Sequence, residues 1–416
     1  MPVSNSCDNM VLLTRARFMN PRRQYTAKLA TIFCLIAIGV SLTSCTSGSS
    51  DDAWLSHQNA GRAALFKNDF AKAESELKES IGVLDALKSH SLEKAVSLGL
   101  LGTVYNQTGR LKEAEQAQKQ SLETYESSPQ ATKAQLSSAY NNLSNVYYSM
   151  GRYEYASELN QKALKLIEES NGSDSLAMAS TLNNEGLVKM QLGKSEGAKE
   201  LFEKALSICE KNQSNADFKA EMIKSLINLA HYWSESDADK SIPLCEKAIK
   251  IAEGLYGENH IELADALRIQ GVAYTKGKQF DNATTSFKRA KSIYDDKLGE
   301  HSVSAAYCLI GLSTLYLKQQ QYDKAQPMAE QAVKILDTSE VGNVESTVNA
   351  MCILAEANMK QDNTAEAKKL LARCKAKLDE APIVSSEYKK EFLRGYAKRL
   401  REMSDVKEAE NIESSI

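Results

Sequence analysis

Three asparagines pose the chemical question in this chain. Asn142, Asn184 and Asn228 occupy equivalent places in three successive stretches, with Asn141, Asn145 and Asn183 beside them and Tyr148 and His231 close by. A carboxamide carries both donor and acceptor, so a ladder of them matches the backbone of an extended peptide without dictating its sequence. Asn is also a poor helix former, and its repetition within helices requires a reason. Either these amides meet a ligand, or they bond to the neighbouring helix. Other reactive types are scattered. The five histidines (His57, His90, His231, His260, His301) are far apart, and His260 and His301 sit in equivalent loops, so repetition explains that pair better than metal ligation. The sequence has no glycine-rich phosphate loop, nucleophile elbow or His-Glu-x-x-His pattern. No catalytic residue, metal site or cofactor is expected. Cys209, Cys245, Cys308, Cys352 and Cys374 form no Cys-x-x-Cys pair and read as buried small hydrophobes. Cys352 and Cys374 fall on the two helices of one expected hairpin, where a disulfide is conceivable on spacing alone.

The elements that position these side chains follow from a repeat. A small residue recurs at Ala73, Ala114, Ala156, Ala198, Ser241, Ala283, Ala325, Ala367 and Ala409, at spacings of 41 to 43. Twelve residues before most of these stands a second small residue: Gly61, Gly102, Ser144, Gly186, Gly271, Ser313, Ala355 and Ala397, with Ala230 one residue out of register. Small side chains at both places let two helices approach closely, as an antiparallel hairpin requires. Gly109, Gly151 and Gly193 stand where the first helix must stop. Phe70, Tyr153, Phe280 and Tyr322 then fill the turn between helices. With only 6 Pro and 20 Gly in 416 residues, long helices and short turns are favoured throughout.

The unit Ala139 to Tyr153, continued through Ala156 and Ala163-Leu164, resembles the tetratricopeptide pattern, and the resemblance runs from about Trp54 to Ile412. It implies an all-α fold, a right-handed superhelical solenoid of stacked antiparallel helical hairpins. Eight hairpins are expected over 54–381, with a degenerate closing hairpin over 382–416 whose Lys389, Lys390, Arg394, Lys398, Arg399 and Arg401 form a solvated face. The 42-residue period and the loops Tyr256-Gly257-Glu258-Asn259-His260 and Leu298-Gly299-Glu300-His301 look like the kinesin-light-chain-like subgroup. That resemblance implies cargo recognition on the inner surface, lined by the first helix of each hairpin. It also implies peptide contacts from Asn141, Asn142, Asn145, Asn183, Asn184 and Asn228, and Tyr148 and His231 on the same face join them as expected contacts. A terminal-carboxylate clamp, another mode of such arrays, needs a basic pair that is missing beside Asn142 and Asn184.

The N-terminal segment reads differently. Leu29 to Leu42 (LATIFCLIAIGVSL) is apolar and uncharged, and its fourteen residues span about 21 Å as a helix, short of the roughly 30 Å membrane core. Basic residues precede it and Leu42-Thr43-Ser44-Cys45 closes it, which resembles the signal peptide and lipobox of bacterial lipoproteins. The resemblance implies a signal over 1–44 (with Met19 as a possible start), lipidation of Cys45, and a flexible tether over 45–53. The expected location is the cell envelope, on an outer membrane or the outer face of an inner one. Formal net charge is −3, and five basic residues against Asp8 lie in the first 44, so the body is the more acidic part. Without a basic stripe, nucleic acid is not an expected partner. The functional expectation is a membrane-anchored scaffold or adaptor for a peptide or protein segment. The alternatives are an envelope assembly, secretion or polysaccharide-export accessory factor contacting a folded complex, and a cytoplasmic adaptor if the signal is unused.

Overall fold

The computed structural model describes residues 52–88, 90–170, 172–338, 344–381, 386–414 and 416. The signal over 1–44, Met19, Cys45 and the tether up to residue 51 lie outside these. Among the described residues there are eighteen helices and no strands. The chain divides into two compact units between Leu229 and Ala230. The N-terminal unit pairs α1 (Ala53–Phe66) with α2 (Phe70–Leu87), α3 (Ser91–Gln107) with α4 (Leu111–Ser127), α5 (Lys133–Ser149) with α6 (Tyr153–Glu169), and α7 (Leu176–Gln191) with α8 (Ser195–Lys211). Helix α9 (Ala216–Ser234) crosses the division. The C-terminal unit holds α10 (Ala238–Tyr256), then α11 (Ile261–Lys276) with α12 (Phe280–Leu298), α13 (Val303–Lys318) with α14 (Tyr322–Thr338), α15 (Val344–Met359) with α16 (Thr364–Asp379), and α17 (Ser386–Glu402) with α18 (Val406–Glu413). Ala53, expected to end the tether, is the first residue of α1.

The small residues pack as their spacing demands. A Cβ on Gly186 would stand 2.4 Å from the Phe202 ring, and one on Gly61 would meet Leu77 at 2.7 Å. Where the first-helix slot is serine, its hydroxyl bonds across the hairpin: Ser144 Oγ donates to the Ala156 carbonyl at 2.8 Å, and Ser313 Oγ to that of Ala325 at 2.7 Å. In the fifth hairpin the roles exchange, and Ser241 Oγ donates to the Ala230 carbonyl at 2.7 Å. Buried hydrogen bonds thus replace hydrophobic contact without widening the approach.

Every first helix except α9 stops at a left-handed residue. Gly109, Gly151 and Gly193 have φ of +82°, +78° and +75°. Asn68, Lys278, Gln320, Asp362 and Ser404 fill the same place in other hairpins at φ near +60°. The next amide then bonds back to the fifth residue before it, as Arg152 N does to the Tyr147 carbonyl at 2.8 Å and Gln321 N to that of Tyr316 at 2.9 Å. Gly257 and Gly299 end α10 and α12, and His260 Nδ1 and Ser302 Oγ accept amides of the next helix at 3.3 Å.

Within each unit the second helix of one hairpin packs on the first helix of the next, and successive first helices also touch: α1·α3, α3·α5 and α5·α7, then α11·α13 and α13·α15. First helices are therefore buried on more sides than second helices. In the last hairpin the expected solvated face needs correction at one residue. Arg399 is buried, donating to the Gly395 carbonyl at 2.9 Å and pairing with Glu356 at 3.4 Å, because it turns toward α15. Lys390, Arg394, Lys398 and Arg401 are exposed, as expected.

Candidate functional site

On a helix, residues three and four apart share a face. Ser138, Asn141, Asn142, Asn145 and Tyr148 accordingly form one stripe of α5. Asn106 and Gln107 of α3, Ser180, Asn183 and Asn184 of α7, and Glu221, Lys224 and Asn228 of α9 carry on the same polar character. All of these side chains are buried. The first helices touch one another, which brings their amides within reach. Asn184 Nδ2 donates to Asn141 Oδ1 at 2.7 Å, linking α7 to α5. Asn228 Nδ2 donates to Asn183 Oδ1 at 3.3 Å, linking α9 to α7. Asn183 Nδ2 in turn donates to Glu221 Oε1 at 2.7 Å and to Ser225 Oγ at 2.8 Å. Asn142 points back the same way: its Nδ2 lies 3.9 Å from where a Cβ on Gly99 of α3 would stand.

The repeated amide slot therefore lies in the seam between consecutive first helices. In the C-terminal unit the corresponding residues are Ile269, Gly311 and Ile353, all buried. A buried amide left without partners costs about 1–3 kcal/mol, so Asn–Asn pairing is what makes the slot tolerable to Asn in the N-terminal unit. Of the eight residues expected at the site, Asn141, Asn183, Asn184 and Asn228 are brought to one another. Tyr148 stacks obliquely on Tyr153, with ring centroids 5.6 Å apart. His231 is buried on α9 beyond the division between the units.

The structure adds residues that the sequence reading passed over. Asn106 and Gln107 each have both side-chain polar atoms buried without a hydrogen-bond partner, and Ser180 Oγ is in the same state, as is the Nδ2 of Asn145, a residue already expected at the site. They sit on α3, α5 and α7, at stripe positions offset from the repeated Asn slot. Helical spacing, four residues from Gly102 to Asn106 and four from Asn184 back to Ser180, would have found them, had every polar residue of the stripe been followed. Lys224 was missed as well. Its Nζ pairs with Glu221 Oε2 at 2.8 Å, both side chains about 4% exposed, so a charge does lie on this face but is already neutralised.

Cys209, Cys245, Cys308, Cys352 and Cys374 are all buried and none is in a disulfide. Cys352 and Cys374 stand side by side as thiols, with Cys374 Sγ 3.8 Å from the Val348 carbonyl. Among the described residues no helix is long and apolar enough to cross a membrane.

Stacked helical hairpins with close-packed small residues define a helical-repeat protein. The chain belongs to the tetratricopeptide repeat family, whose model matches residues 51–127, 135–211, 226–296 and 270–338. A comparison with curated proteins finds no match. Among solved structures the chain is similar to a Rap protein complexed with Competence and Sporulation Factor, at TM-score 0.61 and 14% identity over 88% of this chain and 96% of that one. It is similar to NprR in complex with its cognate peptide NprX, at TM-score 0.57 and 13% identity over 88% and 96%. Nearly identical repeats of a putative kinesin light chain from Podosopora anserina match at TM-score 0.39 and 18% identity, over 49% of this chain and 95% of that one. At their identities the likeness to the Rap protein and to NprR shows the fold alone.

Proposed function

We propose that this chain is a non-enzymatic interaction scaffold that holds an extended peptide or protein segment against the amide-rich first helices of its N-terminal unit. The observation that carries the reading is the set of unpartnered buried groups on three successive first helices: Asn106, Gln107, Asn145 and Ser180. Each pays a desolvation cost that a ligand's backbone amides and carbonyls would relieve. Asn142, Asn184 and Asn228 serve the site by locking the helices that present these groups, and Tyr148 offers a ring beside Asn145. NprR, similar in fold, was solved with a bound peptide, which accords with this use of such an array. The scaffold would be tied to a membrane by a lipid on Cys45.

Panning a library of linear peptides against the protein tests this reading. The variant Asn106→Ala/Gln107→Ala/Asn145→Ala should bind the selected peptides at least about tenfold more weakly, roughly 1.4 kcal/mol. It should melt no lower than wild type, because these groups lack partners in the free protein. By contrast Asn184→Ala breaks a seam bond and should lower the melting temperature. Equal peptide binding by wild type and the triple variant would remove the site from this face.

A further inference from the structure

The C-terminal unit contains a buried cation whose most directional donors go unused. Arg268 of α11 is 5% exposed, and its Nε and Nη2 have no hydrogen-bond partner. Among the described residues no carboxylate forms an ion pair with it. Asp265, one turn earlier, is also buried, but its Oδ1 accepts the Tyr294 hydroxyl at 2.6 Å. The guanidinium acts electrostatically on Tyr294 of α12 and Cys308 of α13, which places it where the three helices meet.

Guanidinium does not shed its charge in a protein, so burying its donors unbonded is a standing cost even with Asp265 close by. Nε and Nη2 are neighbours on one edge of the guanidinium plane, and their N–H bonds run parallel. That edge is the one that takes both oxygens of a carboxylate at once. We infer that Arg268 is a seat for one carboxylate group, carried on the flexible side chain of an acidic residue in a peptide. A folded surface would not reach a group so covered, whereas a Glu or Asp side chain would. Asp265 already supplies one negative charge close by, so the seat favours a singly charged carboxylate over a phosphate. This seat is independent of the amide face in the other unit, and either proposal can fail alone.

The test uses the full chain with N-acetylated, C-amidated tri-glutamate and tri-glutamine, and inorganic phosphate, as probes, at constant ionic strength, by calorimetry and thermal melting. Tri-glutamate should bind and tri-glutamine should not. Arg268→Lys keeps the charge but loses the fork, and should weaken tri-glutamate at least tenfold. Arg268→Met should abolish binding and melt at or above wild type, since it removes buried donors that have no hydrogen-bond partner. Three results would overturn the inference: no tri-glutamate binding to wild type, undiminished binding to Arg268→Lys, or phosphate competing as well as tri-glutamate. A melting temperature several degrees lower for Arg268→Met would assign the guanidinium to holding the fold instead.

Discussion

A side chain's type tells what it can bond, but its partners decide what it does. Asn184 and Asn106 are alike chemically and both buried, yet Asn184 is bonded to Asn141 at 2.7 Å while both polar atoms of Asn106 are unpartnered. The difference arises from place on the helix. Asn184 faces the preceding first helix, and Asn106 does not occupy that slot. Titration follows the same logic at Glu235, just beyond α9. Burial pushes its carboxyl up from 4.5 to about 7, with Lys318 and Lys276 pulling the other way. A folded-state pKa above the unfolded one means the folded protein holds the proton more tightly. The group's contribution to stability is therefore full below about pH 4.5 and lost as pH rises through about 7. Glu235→Gln should leave stability near pH 4.5 little changed and raise it at pH 8, as urea unfolding at both pH values would show. Parallel curves for wild type and variant would rule this out.

Among the elements, the hairpin turn shows which local rules are strict. Every first helix but α9 is stopped by a left-handed residue, and glycine takes this place without steric cost at Gly109, Gly151 and Gly193. Gln320 adopts φ of +59° in the same role, where an L side chain costs about 1–2 kcal/mol. Its side chain is exposed, so Gln320→Gly should raise unfolding free energy by about 0.5–1 kcal/mol, after allowing for glycine's greater unfolded-state freedom. Helix contact sets the opposite constraint at Gly186. Gly186→Ala would drive a methyl against the buried Phe202 ring and should cost about 1–3 kcal/mol. Denaturant midpoints of the two variants should move in opposite directions. A shift of the same sign in both would show that the turn is not under conformational strain.

For the whole molecule, hairpins that each expose apolar surface on both sides are stable only as an array, and the ends need closing. In the C-terminal unit Phe392, Tyr396 and Leu400 of α17 join the same hydrophobic cluster as Leu371 and Leu378 of α16, which leaves the polar side of the last hairpin outward. The proposed anchor belongs to this scale too. Expressed in a bacterium, the protein should sediment with membranes and incorporate labelled palmitate, and Cys45→Ser should lose both. Wild type found unlabelled in the soluble fraction would refute the anchor. The all-helical hairpin array could be read from the chain because close helix packing tolerates only small residues, and these recur every 41 to 43 positions. The helix stops at Gly109, Gly151 and Gly193 were legible for a similar local reason: backbone conformation is decided by the residue that adopts it. The left-handed Lys278, Gln320 and Asp362 were not, since only the packing of both helices forces non-glycine residues there. The Asn slots were visible as a pattern, but not their bonding to one another, and the unpaired edge of Arg268 left no trace in the sequence. Hydrogen-bond pairing between helices some 40 residues apart depends on which faces meet, and that was decided only when the hairpins stacked.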